Sequence, residues 1–143
     1  MKILILNGPN LNLLGTREPG VYGSLALNEI NRRLQAWAAE RNVELRFVQS
    51  NHEGTLIDAL HESREWADGV VVNPGGLMYG SLSLRDAIAA TPAPAVEVHI
   101  SNVYAREPFR HHSLTAGACA GQISGLGWLG YLLALEWHWR QAE

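Results

Sequence analysis

The sequence has one cysteine, one lysine and no long uninterrupted hydrophobic run. Because Cys119 has no second cysteine for an internal disulfide, we expect a reducing, cytoplasmic location. Lys2 lies at the start of the first apolar run, so a Schiff-base mechanism, which needs a lysine in a desolvated pocket, is not expected. The apolar C-terminal stretch is interrupted by glycines and contains Glu136, so no membrane span is expected.

Strong charge of either sign is also missing. The net charge is −3 and no dense cluster of arginine or lysine occurs, which argues against a nucleic-acid partner. The first residues lack the charged region, long apolar core and cleavage site of a signal peptide. At 143 residues the chain is long enough for a sizeable core, and we expect one domain over 1–143.

Short apolar runs alternate with helical patterns along the chain. Strands are predicted over 2–6, 43–48, 69–72, 95–100 and 118–123, and helices around 27–37, 56–60, 82–88 and 126–140. Strands that alternate with helices form parallel βαβ units with right-handed crossovers. The predicted fold is α/β, a flavodoxin-like three-layer sandwich with a five-stranded parallel sheet.

Ligands of such sheets bind at the carboxyl ends of the strands, where the strand order reverses. The loop after the first strand, 7–23, is unusually long for a βα connection, and long loops are commonly functional. It contains Arg17 and Tyr22. A tyrosine is a poor base near neutrality, but an adjacent guanidinium favours the phenolate. The alternative is a surface arginine and a half-buried tyrosine.

Two further loops reach the same edge. After the third strand, Asn73-Pro74-Gly75-Gly76 predicts a tight turn, and a helix beginning near Ser81 or Ser83 is expected to direct its first amides into the crevice. On the fourth strand, Glu97 and His99 share a face, roughly 7 Å apart. A carboxylate beside an imidazole makes a usable general acid, although a lone strand histidine is commonly structural. Arg106 and Arg110 follow.

Other polar and aromatic clusters fit less well with a ligand site. His111-His112 and His52-Glu53 lack zinc-site spacing, so no metal is expected. No dinucleotide, P-loop or GxSxG motif occurs. The aromatic residues of the last predicted helix favour packing or a subunit interface; they are Trp128, Tyr131, Trp137 and Trp139.

Several long segments carry a family resemblance over essentially the whole chain. They are LNGPNLNLLGTREPGVYG, QSNHEGTLIDALHE, NPG followed by SLSLRDAI, VEVHISNVYAREPFRHHS, and a glycine-rich stretch ending GYLLAL. In these segments the sequence resembles type II 3-dehydroquinate dehydratase. The resemblance implies an anti elimination of water from 3-dehydroquinate through an enolate, without metal or cofactor. It also implies a homo-oligomer, a dodecamer built from trimers.

The resemblance implies a role for each matching residue. Tyr22 would be the base, held as phenolate by Arg17, and Asn10 would stabilise the enolate through a water. His99 would protonate the departing hydroxyl, oriented by Glu97. The remaining matches would bind substrate. The backbone amides of Ile100 and Ser101 would hold its carboxylate, and Asn73 and Arg110 would bind its ring hydroxyls. Arg106 would help close the loop, and Asp86 would approach a neighbouring subunit's site.

The chain departs from the family pattern after NPG. Tyr79 occupies the position of a substrate-binding histidine, and Met78 that of a threonine. A phenol donates a hydrogen bond but is longer than an imidazole and cannot replace its chemistry. Tyr104 also replaces a common histidine. The first hypothesis is a working dehydratase with altered ring-hydroxyl contacts, and the second is a non-catalytic binding or assembly protein.

Other roles of this fold agree less well with the sequence. A phosphoacceptor regulator needs acidic residues after the first and third strands, where this chain has Asn7 and Asn73. A flavodoxin needs a phosphate loop rich in serine and threonine after the first strand, and that loop is absent.

Overall fold

The apolar runs of the sequence form the strands of one parallel sheet. The computed structural model describes residues 1–16 and 18–143. The strands are β1 (Lys2–Asn7), β2 (Glu44–Gln49), β3 (Gly69–Asn73), β4 (Ala95–His99) and β5 (Gly121–Ser124). The helices are α1 (Pro19–Tyr22), α2 (Leu27–Ala39), α3 (Glu53–Ser63), α4 (Leu82–Ala89) and α5 (Leu129–Gln141). Short 3-10 helices occupy Leu11–Leu13, Gly75–Tyr79, Val103–Ala105, Pro108–Arg110 and Ala116–Ala118.

The strand order places the change of direction between β1 and β3. The sheet runs β2-β1-β3-β4-β5 and every neighbouring pair is parallel. From β1 the chain moves outward to β2, then returns across β1 to β3 and continues to the opposite edge. This order is that of flavodoxin-like folds, in which ligands bind at the reversal point. The predicted five-stranded parallel sheet is confirmed.

Two apolar layers cover the sheet, because alternate residues of the central strands face opposite sides. Ile3 and Ile5 pack on one side with residues of α2 and α5, including Ile30, Leu34, Ala134 and Leu135. Leu4 and Leu6 pack on the other with residues of α3 and α4, including Leu56, Leu60, Leu84 and Ile88. The result is the expected three-layer sandwich. No helix within the described residues is long and apolar enough to cross a membrane.

The structure corrects the boundaries of the last two elements. The strand expected over 118–123 is Gly121–Ser124, because Ala116–Ala118 forms a 3-10 turn before it. The helix expected from residue 126 begins at Leu129. Gly125 and Gly127 have φ of +88° and +61°, which a right-handed helix does not allow. Their amides donate instead to the carbonyls of His99 and Ile100, at 3.1 and 3.0 Å.

Candidate active site

A cavity of about 310 Å³ opens at the carboxyl ends of β1, β3 and β4. Most of the side chains predicted from the sequence line it: Asn10, Tyr22, Asn73, Tyr79, His99, Ile100, Ser101, Arg106 and Arg110. Glu97 lies behind His99. The exposed Asp86 is on α4 and does not line this cavity, and its carboxylate is 3.4 Å from Arg85 Nη1. Arg17 lies outside the described residues.

A tyrosine and an arginine meet on one wall. Tyr22 ends α1, and Arg106 follows the 3-10 helix Val103–Ala105. Arg106 Nη1 donates to the Tyr22 hydroxyl at 2.9 Å, and its guanidinium carbon is 5.2 Å from the ring centroid. The structure therefore brings a positive charge into direct contact with the Tyr22 oxygen. The family resemblance implied only loop closure for Arg106, and the contact with Tyr22 was not expected from the sequence.

A histidine and a carboxylate form a second pair. His99 and Glu97 are both buried, and His99 Nε2 is 3.0 Å from Glu97 Oε2. The predicted placement of both side chains on one face of β4 is confirmed. Because Glu97 holds Nε2, the nitrogen available to a molecule in the cavity is Nδ1. The arrangement fixes the tautomer of the neutral imidazole and supports the imidazolium.

Sequence reasoning missed three donors that surround Glu97. Ser113 Oγ donates at 2.8 Å, Gln122 Nε2 donates at 2.7 Å, and Thr115 Oγ1 donates a short hydrogen bond to the second oxygen. Burial raises the pKa of Glu97, but the hydrogen bonds from His99, Thr115 and Gln122 outweigh it and hold the pKa below its ordinary value. The carboxylate is therefore ionised in spite of its burial.

A hydrogen-bonded tyrosine lies beneath the end of β3. The fully buried Tyr131 hydroxyl donates to Asn7 Oδ1 at 2.6 Å and accepts from Asn73 Nδ2 at 2.9 Å. Asn73 Oδ1 accepts from the Gly75 amide at 3.1 Å. Burial raises the pKa of Tyr131, which keeps it a neutral phenol that can donate. The aromatic residues of the last helix were expected to serve in packing or in a subunit interface. The Tyr131 ring packs in the core, and its hydroxyl orients Asn73.

The loops after β1 and β3 fit closely against each other. The Gly8 amide donates to the Asn73 carbonyl at 2.8 Å, and a Cβ at Gly8 would collide with the Pro74 carbonyl. Asn10 has a left-handed backbone with φ of +69°, and its amide donates to Asn51 Oδ1 at 2.9 Å. The end of β2 thus holds Asn10 in place at the cavity edge, a contact that the sequence pattern did not indicate.

The residues that depart from the family pattern lie on the wall formed by Gly75–Tyr79. Arg110 Nη1 donates to the Tyr79 hydroxyl at 3.2 Å, and Arg110 Nε donates to Glu107 at 2.6 Å. The rings of Tyr79 and Phe109 meet edge to face at 6.0 Å. Met78 is buried and also lines the cavity. Tyr79 therefore places a hydroxyl beside Arg110 in the cavity.

One expectation about this wall is wrong. The first amides of α4 do not line the cavity, because the 3-10 helix Gly75–Tyr79 lies between β3 and α4 and forms the wall itself. Ser81 caps α4 by accepting from the Leu84 amide at 3.0 Å, and its hydroxyl donates to Glu53 at 2.8 Å. Within residues 1–16 and 18–143, no group of three or more metal-ligating side chains comes together.

Comparison with known proteins matches the sequence and the fold to one family. The family model for dehydroquinase class II matches residues 1–139. A 3-dehydroquinate dehydratase of Roseiflexus castenholzii is 61% identical over 137 residues, covering 96% of this chain and 87% of the relative. One of Bacillus pumilus is 58% identical over 134 residues, covering 94% and 91%.

A solved structure agrees with the sequence matches. The crystal structure of type II dehydroquinase from Butyrivibrio crossotus superposes with a TM-score of 0.95 at 44% identity, covering 96% of this chain and 97% of that one. Similarity in sequence and in fold extends over nearly the full length of both partners, and the chain belongs to the class II dehydroquinase family.

Proposed function

We propose that this chain is a 3-dehydroquinate dehydratase, a hydro-lyase that converts 3-dehydroquinate into 3-dehydroshikimate and water. The relatives reported above have this activity in their names. The observation that carries the proposal is that Tyr22, beside a guanidinium, and His99, beside a buried carboxylate, line one cavity. Elimination of water next to a ketone needs a base and an acid of these kinds.

Tyr22 is the base of the proposed reaction. As a phenolate it takes a proton from the carbon next to the ketone, and the electron pair of that C–H bond moves to form an enolate. Arg106 donates to the Tyr22 oxygen, and the resemblance adds Arg17. Asn10 stabilises the enolate oxygen through a water, which is a fixed polar contact at the atom where charge develops.

His99 is the acid. Its Nδ1 proton passes to the ring hydroxyl as the C–O bond breaks, so that water leaves and the enolate electrons form the conjugated double bond. Glu97 orients the ring and supports the imidazolium through Nε2. Afterwards the proton on Tyr22 returns to solvent, and His99 takes one up.

The other cavity residues bind the substrate in this proposal. The backbone amides of Ile100 and Ser101 hold the carboxylate, and Asn73 and Arg110 contact ring hydroxyls. Tyr79 contributes its hydroxyl next to Arg110. All of these residues belong to one proposed domain, 1–143. No metal or cofactor enters the proposed reaction.

A homo-oligomer, a dodecamer built from trimers and located in the cytoplasm, completes the proposal. Its support is the family resemblance, together with exposed apolar side chains at four-residue spacing along α5, namely Leu129, Leu133 and Trp137. In this assembly Asp86 approaches the cavity of a neighbouring subunit. Sedimentation of the purified chain tests the assembly, because a stable monomer would contradict it.

Turnover of 3-dehydroquinate by the purified chain tests the activity. The product is a conjugated enone, so its formation is followed by ultraviolet absorbance. No turnover at any substrate concentration would contradict the proposal. Ligand binding without turnover would instead support a non-catalytic binding protein, the function favoured by the change at Met78 and Tyr79.

A further inference from the structure

Glu97 has more hydrogen-bond donors than the orientation of His99 requires. Besides His99 Nε2 at 3.0 Å, Oε2 accepts from Ser113 and Gln122, and Oε1 accepts from Thr115. These three donors are neutral at every pH at which the protein is folded. Their number is notable because burying a carboxylate is unfavourable unless hydrogen bonds replace its water.

The three donors reach Glu97 from two different parts of the fold. Gln122 is the register partner of Glu97 across the β4–β5 pair, which places both side chains on the same face of the sheet. Ser113 and Thr115 precede the 3-10 helix Ala116–Ala118, and the two hydroxyls also contact each other at 3.1 Å. Glu97 is therefore enclosed by donors that do not depend on His99.

We propose that Gln122 is a positioning residue: together with Ser113 and Thr115, it keeps Glu97 ionised after His99 has given up its proton. This inference rests on the proposed role of His99 as acid. When Nδ1 takes up its next proton from solvent, a buried carboxylate without neutral donors would take the Nε2 proton at the same time. The pair would then be a neutral carboxyl beside a neutral imidazole with its proton on Nδ1, and a neutral imidazole is a poor acid.

The charges around Glu97 are consistent with this role. Its pKa is raised by burial and lowered more strongly by hydrogen bonds, Thr115 and Gln122 among them. Among the described residues, the other titratable groups found to interact with it are His99 and Cys119. Burial, and then the charge of Glu97, raise the pKa of Cys119 to about 12, so that its thiol stays neutral. No second cation offsets the carboxylate among these groups.

The test is Gln122→Leu, which removes the donor and keeps a side chain of similar size. Because the protonated pair then carries its proton in part on Glu97 instead of on His99, a smaller fraction of the enzyme has the acid in its active form. We expect kcat/KM to fall about tenfold, the effect of one hydrogen bond to a charged group, over the whole pH range in which the wild type is fully active.

Infrared spectroscopy tests the proposal without any turnover. The band of a protonated buried carboxyl should appear in Gln122→Leu at a higher pH than in the wild type, and adding Glu97→Gln should abolish it. Ile123→Val, the next residue on β5, is the matched control and should change neither the band nor kcat/KM. Thr115→Val, which removes a different donor, serves as the second variant if Gln122→Leu does not fold.

The outcomes separate this inference from the proposed function. Lower thermal stability of Gln122→Leu with an unchanged kcat/KM and no carboxyl band would overturn the inference, since Gln122 would then be only structural. Failure of the wild type to convert 3-dehydroquinate would overturn the proposed function, whereas the infrared comparison would still decide whether Gln122 keeps Glu97 ionised.

Discussion

At the scale of single residues, the guanidinium of Arg106 contacts the proposed base: its Nη1 donates to the Tyr22 hydroxyl at 2.9 Å. Replacing Arg106 by glutamine removes the positive charge that contacts the proposed base. A hydrogen bond to a charged group contributes about 1.5–3 kcal/mol, so kcat of Arg106→Gln should fall by roughly 10- to 150-fold.

Arg140→Gln is the control for Arg106. Arg140 is an exposed arginine of α5 that pairs with Glu136 at 3.0 Å, away from the cavity. Its loss should leave kcat unchanged. A wild-type kcat in Arg106→Gln would mean that Arg106 does not act on Tyr22.

Tyr79 is the residue at which the chain departs from its family, and its hydroxyl accepts from Arg110 Nη1. Tyr79→Phe keeps the ring that packs on Phe109 and removes the hydroxyl. Losing one neutral hydrogen bond costs about 1 kcal/mol, so KM should rise about fivefold with little change in kcat. Steady-state kinetics measure both constants. An unchanged KM would indicate that the hydroxyl does not contact substrate, and Tyr79→His would then show whether an imidazole does.

At the scale of elements, α5 contacts the site through Tyr131, which joins the ends of β1 and β3. Tyr131→Phe leaves the buried side chains of Asn7 and Asn73 without this partner. We expect the free energy of unfolding to fall by about 1–3 kcal/mol, measured by urea denaturation. Tyr104→Phe makes the same change at an exposed position and should be neutral. Equal stability of the two variants would contradict a structural role for the Tyr131 hydroxyl.

The loops differ in how far the sequence predicts them. The alternation along β4 was sufficient to place Glu97 beside His99, since both lie on one strand. The contact between Arg106 and Tyr22 joins residues 84 positions apart, and no local pattern carries that information. Gln122 was within the predicted last strand, but its contact with Glu97 depends on the register between β4 and β5. That register was not available, because the start of β5 was placed three residues too early.

At the scale of the whole molecule, the strands buried on both faces were predictable from their continuous apolar runs, as in β1, β3 and β4. The region before α5 was not predictable in this way, because it is rich in glycine and alanine and its apolar residues follow neither the helix nor the strand period. Its conformation is decided by the hydrogen bonds of Gly125 and Gly127 to the end of β4. Only the assembled sheet provides those acceptors.

Stability should decrease as the solution becomes acidic. Burial lowers the pKa of His138, whose Nε2 is 2.9 Å from the Val70 carbonyl, so the unfolded chain binds a proton more readily than the folded one. This contribution is complete above the unfolded pKa of about 6.5 and is lost as pH falls below it. The lowered pKa of Glu97 adds a second loss, below its unfolded value of about 4.3.

His138→Gln isolates the histidine contribution, because glutamine does not titrate. Urea denaturation at pH 7, 6 and 5 should show a steeper loss of unfolding free energy in the wild type than in this variant. Parallel curves for the two proteins would contradict a neutral buried His138.

The central claim, that Tyr22 is the base, is tested most directly by the kcat of Tyr22→Phe with 3-dehydroquinate. Removing a general base lowers the rate by roughly 10²- to 10⁴-fold. We predict a loss of kcat in that range with KM within a few-fold of the wild type, while Tyr104→Phe, the same change at an exposed tyrosine, retains full activity. A wild-type kcat in Tyr22→Phe would contradict the account.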